Sequence, residues 1–213
     1  MEYLSSLTDL ATRIVRQRIS DLPESRGEWD MIRALLTQMV DGAEGKGARE
    51  LLDVPVMDIT ECSALLACTL GHRFSVVTTL KRAVPTIEEI LTAVGIRERC
   101  ASIRPTGLGV LELEQDESLT RRRLAEEARL AIDDDGAEVI VLGCGGLGGF
   151  DKELEEAVGV PVIDGIVAAV KMAEACHAYG VSTSKVNTYA RPNPKVIPRF
   201  PALPEALPPR VEA

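Results

Sequence analysis

The sequence predicts an α/β protein built on a parallel sheet. Segments with helical apolar spacing alternate along the chain with short apolar runs, the order that parallel α/β sheets produce. The run 137–143 (Ala-Glu-Val-Ile-Val-Leu-Gly) is apolar over almost its whole length, which is typical of a strand covered on both faces. Hydrophobic residues make up 46% of the 213 residues but aromatic residues only 3%, so Val, Leu, Ile and Ala must build the core.

Apolar spacing and turn residues place the elements in order. Helices are predicted at 3–20, 27–40, 59–70, 85–94, 118–134, 151–158 and 165–179. Extended pieces are predicted at 54–57, 73–79, 101–104, 109–113, 137–143 and 160–163. Pro85 suits the first turn of its helix and Gly95 suits the C-cap. From Arg191 the chain is rich in proline, so we expect an extended or disordered tail there.

An internal repeat suggests two similar half-units. Asp41-Gly-Ala-Glu recurs as Asp135-Gly-Ala-Glu, and Val54-Pro-Val-Met-Asp recurs as Val160-Pro-Val-Ile-Asp. The first pair of segments starts 13 residues apart and the second pair 25 residues apart. The stretch 139–150, a strand and a glycine-rich turn, therefore has no counterpart in the first half. Two half-units facing each other would place a binding cleft between two lobes.

Composition excludes several classes of protein. A net charge of −9 argues against a nucleic-acid-binding surface. No apolar run reaches the roughly 20 residues that span a membrane, and the N-terminus lacks the features of a signal peptide. Five cysteines without metal-ligand spacing and only two histidines give no reason to expect a zinc site. We therefore expect a cytoplasmic protein with reduced thiols and no metal.

Cys144 is the main candidate for chemistry. It follows the buried run and Gly143 and precedes Gly145 and Gly146. Glycines permit a tight turn and let a ligand approach the backbone. Amide groups in such a turn would favour a thiolate, which could remove a proton from a carbon next to a carbonyl. A structural cysteine beside a packing turn is the alternative.

Hydroxyls and carboxylates follow the other predicted strands. Thr78 and Thr79 come just past one strand, where ligands gather in open α/β sheets, so they could bind a substrate oxygen; ordinary helix capping is the alternative. Asp58 and Asp164 end the repeated segments and are expected to cap the following helices. The remaining cysteines are interpreted as small core residues: Cys62, Cys68, Cys100 and Cys176.

Taken together, these segments resemble the aspartate/glutamate/hydantoin racemase superfamily, and within it the hydantoin and allantoin racemase branch. The matching strings are Arg73-Phe-Ser-Val-Val-Thr-Thr, 135–146 around Cys144, Gly159-Val-Pro-Val-Ile-Asp-Gly and Thr183-Ser-Lys. The resemblance implies two flavodoxin-like lobes with parallel sheets related by pseudo-twofold symmetry, the N-terminal lobe being incomplete. We assign 1–70 with 161–190 to that first lobe, 71–160 to the second lobe and 191–213 to the proline-rich tail.

The resemblance also implies a cofactor-independent isomerase that acts on a small carbonyl compound of hydantoin or amino-acid type. Such enzymes place two cysteines on opposite faces of the substrate. The second cysteine of the family pattern falls on Cys144, the hydroxyl-rich substrate contact on Thr78 and Thr79, and the backbone donors to an enolate-like oxygen on Gly145 and Gly146. The first cysteine of the pattern would fall within 39–47, where this chain has none.

Two other functions stay open at this point. With one cysteine the chain resembles an arylmalonate-type decarboxylase, which protonates one face of an enolate. It could also be an inactive truncated paralogue that serves as a binding or oligomer subunit. The sequence leaves a homo-oligomer open and indicates neither nucleic acid nor membrane as a partner.

Overall fold

The computed structural model describes residues 47–50 and 52–192 of the chain. The helices predicted at 3–20 and 27–40, the first copy of the Asp-Gly-Ala-Glu repeat and nearly all of the proline-rich tail lie outside these residues. The described part therefore contains the segments after residue 47 on which the family resemblance rests.

A four-stranded parallel sheet forms the centre of the described chain. Its strands are β1 (Phe74–Thr78), β2 (Cys100–Pro105), β3 (Val139–Leu142) and β4 (Val162–Asp164), in the order β2-β1-β3-β4. All three neighbouring pairs are parallel. The α/β class predicted from the sequence is confirmed, and the strand order is that of a flavodoxin-like sheet.

Helices cover both faces of this sheet. They are α1 (Ile59–Leu70), α2 (Val84–Val94), α3 (Val110–Gln115), α4 (Glu117–Asp133), α5 (Asp151–Val158) and α6 (Gly165–Tyr179). Helices α1, α2 and α6 pack on one face, while α4 and α5 pack together on the other. The two-sided cover explains why β1 and β3 are buried at every position and why β3 is apolar along its whole length.

Alternate side chains of the strands pack into two separate core layers. Phe74, Val76, Val139 and Val141 face α1 and α2. Val77, Ile140 and Leu142 face α4 and α5. This alternation is the period of two that a pleated strand imposes. The sheet is therefore the shared support of both helix layers.

The segment 109–113 differs from its prediction. We expected an extended piece, but the chain forms α3, which begins at Val110. The Glu112 carboxylate accepts the Gly109 N–H at 2.6 Å, and this bond from a third-position Glu back to the N-cap favours a helix start. Leu113 is buried while Leu111 is 70% exposed, so the apolar residues that alternate in sequence do not share one strand face.

The repeated Val-Pro-Val segments each lead into a helix of the same face. The first leads into α1 and the second, through β4, into α6. The first turns of these helices approach closely, because a Cβ added to Gly165 would lie 3.3 Å from the Ile59 Cβ. Strand β4, which the predicted domain division assigns to the first lobe, pairs with β3. The lobe boundaries and the pseudo-twofold relation of two lobes stay a prediction.

After α6 the chain returns to the start of the described region. The Thr183 hydroxyl donates to the Val54 carbonyl at 2.9 Å, and the Lys185 ammonium donates to the Arg49 carbonyl at 2.6 Å. The Arg49 guanidinium in turn pairs with Glu61 at 2.6 Å. Within the described residues, no helix is long and apolar enough to cross a bilayer.

Candidate active site

The strand connections create a crevice at the carboxyl edge of the sheet. The chain leaves β1 through α2 to reach β2 at one edge, then returns past β1 to β3 on its other side. The connections from β1 and β3 therefore diverge to opposite faces, and a ligand site is expected where two such strands end. Strand β1 ends at Thr78 and is followed by Thr79, and β3 is followed by Gly143 and Cys144. The structure thus brings the predicted site residues together.

Cys144 is held at the entry of a tight turn. We call residues 143–150 the glycine turn. Cys144 has extended backbone (φ −150°, ψ 136°) and precedes a 3₁₀ turn over Gly145–Leu147. The Leu147 N–H donates to the Cys144 carbonyl at 3.0 Å, and the Gly148 N–H to the Gly145 carbonyl at 3.1 Å. Leu147 is fully buried, so its side chain anchors the turn in the core.

Gly143 fits where no side chain could. A Cβ at this position would lie 2.4 Å from Val76 Cγ1 and 3.4 Å from Thr78 Cβ. The Gly143 N–H donates to the Val77 carbonyl at 2.9 Å, and its carbonyl accepts the Thr78 hydroxyl at 3.3 Å. Thr78 is completely buried. Its hydroxyl therefore joins the end of β1 to the end of β3 rather than capping a helix.

The Cys144 sulfur lies among hydrogen-bond donors. The amides of Gly146 and Leu147 and the hydroxyl of Thr79 all favour the thiolate, but burial opposes them and is the largest influence, so the net effect raises the pKa of Cys144. The sequence led us to expect a stabilised thiolate. The donors are present as expected, but desolvation outweighs them. Burial therefore favours the neutral thiol of Cys144 over the thiolate.

Gly145 and Gly146 lie between the thiol and two neighbouring helices. A Cβ on Gly146 would meet Leu113 Cδ1 at 3.1 Å and Val110 Cγ1 at 3.5 Å, both on α3, and the Cys144 Sγ at 3.8 Å. A Cβ on Gly145 would meet only Ile166 Cδ1, at 3.6 Å. The backbone of the turn is thus accessible beside the sulfur and bounded by apolar side chains.

Both aspartates predicted as caps do cap their helices. Asp58 accepts the Glu61 N–H at the start of α1. Asp164 accepts the N–H groups of Ile166 and Val167 at the start of α6, through one carboxylate oxygen. Its other oxygen accepts the Gly149 N–H at 3.0 Å. Sequence reasoning missed this second bond, although the position of Asp164 directly after a strand of the same sheet could have indicated it.

The other thiols lie away from this crevice or deep in the core. Cys62 and Cys100 are each 3% exposed, which confirms them as core residues. Burial raises the pKa of Cys62 to about 12 and that of Cys100 to about 11. Cys100 begins β2 and Cys68 lies late in α1, toward the amino end of the sheet, while Cys176 lies late in α6. Cys68 and Cys176 are half-buried rather than core residues as predicted. All five thiols are free, and the described residues contain no cluster suited to a metal ion.

Comparison with known proteins agrees with this geometry. The family model described as Asp/Glu/Hydantoin racemase matches residues 46–173, more than half of the chain. The chain belongs to the Asp/Glu/hydantoin racemase family. A hydantoin racemase of Rhizobium meliloti is 44% identical over 170 residues, which are 80% of this chain and 70% of that protein.

Two solved structures extend the comparison to the fold. An allantoin racemase from Pseudomonas fluorescens is 52% identical, with a TM-score of 0.71 over 72% of this chain and 65% of its own. An allantoin racemase from Klebsiella pneumoniae is 28% identical, with a TM-score of 0.77 over 92% of this chain and 93% of its own. The chain thus spans about two thirds of the length of the first two relatives. The predicted superfamily and branch are confirmed, and these relatives support an isomerase of the racemase type.

Proposed function

We propose that this chain transfers a proton at the carbon next to a carbonyl of a hydantoin-like or amino-acid-like substrate, as a cofactor-independent racemase. Cys144 is the acid/base in this proposal. The observation that carries it is the position of the Cys144 sulfur at the carboxyl edge of the sheet, among the Gly146 and Leu147 amides and the Thr79 hydroxyl. Thr78 supports the site by fixing the ends of β1 and β3 together.

The proposed step is a proton exchange between carbon and sulfur. The thiolate takes the α-proton, so that a C–H bond breaks and an S–H bond forms, and the electron pair moves into the substrate carbonyl. Backbone N–H groups at Gly145 and Gly146 would hold the resulting oxyanion. The thiol then returns a proton to the same carbon. Because the pKa of Cys144 is raised, the donating half is favoured near pH 7 and the abstracting half depends on a minor thiolate population.

Racemisation needs a second group on the other face of the substrate. Cys100 and Cys68 lie toward the opposite edge of the sheet, and Cys176 follows no strand end. Cys62 is buried with its Sγ 3.7 Å from Met57 Sδ. The described residues thus offer one thiol at the crevice. Chemistry on a single face, as in an arylmalonate-type decarboxylase, is therefore our second candidate. A binding or oligomer subunit without turnover is the third.

Deuterium labelling separates these functions. Each enantiomer of a 5-substituted hydantoin is incubated with the chain in D₂O, with a protein-free sample to subtract spontaneous exchange. Loss of the α-proton is followed by NMR and configuration by chiral chromatography. Exchange with inversion supports the racemase, and exchange with retention indicates one working base. Carbon dioxide release from a disubstituted malonate without hydantoin exchange supports the decarboxylase. Absence of both reactions contradicts an enzyme for these substrates.

Location and assembly belong to the same proposal. We place the protein in the cytoplasm on the strength of its free thiols, because reduced cysteines are typical of that compartment. The partner is a small carbonyl compound. A homo-oligomer stays open, and size-exclusion chromatography with light scattering would decide it.

A further inference from the structure

We propose that Asp164 is a positioning residue, which holds the glycine turn in place beside Cys144 by accepting the Gly149 N–H. This inference rests on the proposed function only in the catalytic role that it gives to the Cys144 thiol. The contact itself joins two elements that are far apart in sequence, the end of β4 and the end of the glycine turn.

The two carboxylate oxygens of Asp164 have different partners. Oδ1 accepts the Ile166 and Val167 amides at 2.8 and 3.2 Å, which caps α6. Oδ2 accepts the Gly149 N–H at 3.0 Å. Asp164 is only 3% exposed, so its carboxylate is largely shielded from water, although Gly149 itself lies at the surface.

The Asp164 bond lies at the outer end of the glycine turn, away from its other attachments to the sheet and the core. At its inner end Gly143 is fixed by the Val77 carbonyl, and Leu147 is buried in the middle. At its outer end Gly149 has φ +95°, a conformation that glycine adopts freely and that does not by itself fix the chain. The Asp164 carboxylate adds a side-chain restraint at this end through the Gly149 N–H. The amides of Gly146 and Leu147, which favour the Cys144 thiolate, lie between these attachment points.

Asp58 provides the matched comparison. It ends the first copy of the same repeat, caps α1 through the Glu61 N–H at 2.8 Å, and is buried to a similar degree at 8% exposed. The glycine turn is not among its partners in the described residues. A variant at Asp58 therefore reports the effect of a changed helix cap without a change at the turn.

The test compares Asp164→Asn with Asp58→Asn in the full chain. Asparagine caps helices about as well as aspartate. An asparagine at position 164, however, has one side-chain oxygen. If that oxygen keeps the bonds to α6, the NH₂ group faces the Gly149 N–H, and two donors cannot hydrogen-bond to each other. The readout is the apparent pKa of Cys144, from the pH dependence of its alkylation by iodoacetamide, followed by mass spectrometry of the Cys144 peptide. The Cys176 peptide in the same sample is the internal control. This readout requires no turnover, so it stands if the proposed activity fails.

We expect Asp164→Asn to raise the apparent pKa of Cys144, with the thiolate fraction near pH 8 falling about three- to tenfold, since one pKa unit is tenfold. Asp58→Asn should leave it unchanged. Within the described residues, the influences on the Cys144 pKa are burial, two amides and one hydroxyl, with no charged side chain among them. A lowered or unchanged pKa in Asp164→Asn, or an equal rise in Asp58→Asn, would overturn the proposal.

A measurement on the unaltered protein covers the case in which Asp164→Asn does not fold. The Gly149 amide should exchange with solvent as slowly as the Leu154 amide inside α5, which donates to the Phe150 carbonyl at 3.0 Å. Rapid exchange of Gly149 beside a protected Leu154 would show that the Asp164 bond does not hold the turn, and would overturn the proposal as well.

Discussion

At Cys144, two opposing influences set the state of the thiol. Burial disfavours the charged form, while the Gly146 and Leu147 amides and the Thr79 hydroxyl favour it. A thiol that both gives and takes a proton must populate its protonated and its deprotonated form, so its pKa should lie near the working pH. The donors keep the thiolate accessible in a site that would otherwise exclude charge.

The two threonines should affect this thiol differently. Thr79→Val removes a hydroxyl that stabilises the thiolate, so we expect the pKa of Cys144 to rise further and alkylation below that pKa to slow. Thr78→Val is the control: it makes the same change in side-chain shape, but the Thr78 hydroxyl donates to the Gly143 carbonyl rather than to the sulfur. The pH dependence of Cys144 alkylation measures both. Equal shifts in the two variants would contradict the assignment of Thr79 to the sulfur.

The glycines of the turn should also separate by position. Gly143→Ala places a Cβ 2.4 Å from Val76 Cγ1, so we expect a loss of about 1–3 kcal/mol in the free energy of unfolding, the usual cost of overpacking. Gly145→Ala places its Cβ at an ordinary 3.6 Å from Ile166 Cδ1 and should cost far less. Urea denaturation of both variants tests this. A Gly143→Ala protein as stable as Gly145→Ala would disprove the close approach of β3 to β1.

At the scale of elements, the sequence predicted most helices and strands but not how they contact one another. Apolar runs reveal β1 and β3 because both faces of the sheet are covered. The segment 109–113 was misassigned, since its alternating apolar residues imitate a strand while the Glu112 bond to Gly109 starts a helix. The bond from Asp164 to Gly149 depends on strand order: the position of Asp164 at a strand end suggests a place at the site, but its partner is fixed only by the tertiary fold.

Arg99 links elements that are distant in sequence. It precedes β2, and its guanidinium donates to the Cys68 and Gly71 carbonyls at the end of α1 at 3.1 and 2.9 Å, and also to the His72 carbonyl. Arg99→Lys cannot reach these acceptors together, so we expect a loss of about 1.5–3 kcal/mol in the free energy of unfolding. Arg122→Lys, on the exposed face of α4, is the control. Equal thermal stability of the two variants would contradict the role of Arg99.

At the scale of the whole molecule, two core layers share one sheet, and two thiols are buried, Cys62 on α1 and Cys100 on β2. The pKa of Cys62 is raised to about 12 and that of Cys100 to about 11. An unfolded chain ionises its thiols near pH 8.5, so above that pH it binds fewer protons than the folded chain. The free energy of unfolding must then fall as pH rises.

We therefore expect stability to decline between about pH 8.5 and the raised pKa of Cys100, about 11. A Cys62→Ala/Cys100→Ala variant should show a shallower decline over the same range, even though its stability near pH 7 is lower. Urea titrations at a series of pH values measure both slopes. Identical slopes would show that these thiols do not resist ionisation in the folded protein.

The central claim is that one residue at the carboxyl edge of the sheet, Cys144, moves the proton. The most direct measurement is α-deuterium incorporation into a single-enantiomer hydantoin in D₂O, compared among the unaltered chain, Cys144→Ser and Cys176→Ser. We expect protein-dependent exchange to fall by about a hundredfold or more in Cys144→Ser and to persist in Cys176→Ser. Exchange that survives in Cys144→Ser at the rate of the unaltered chain would contradict the account.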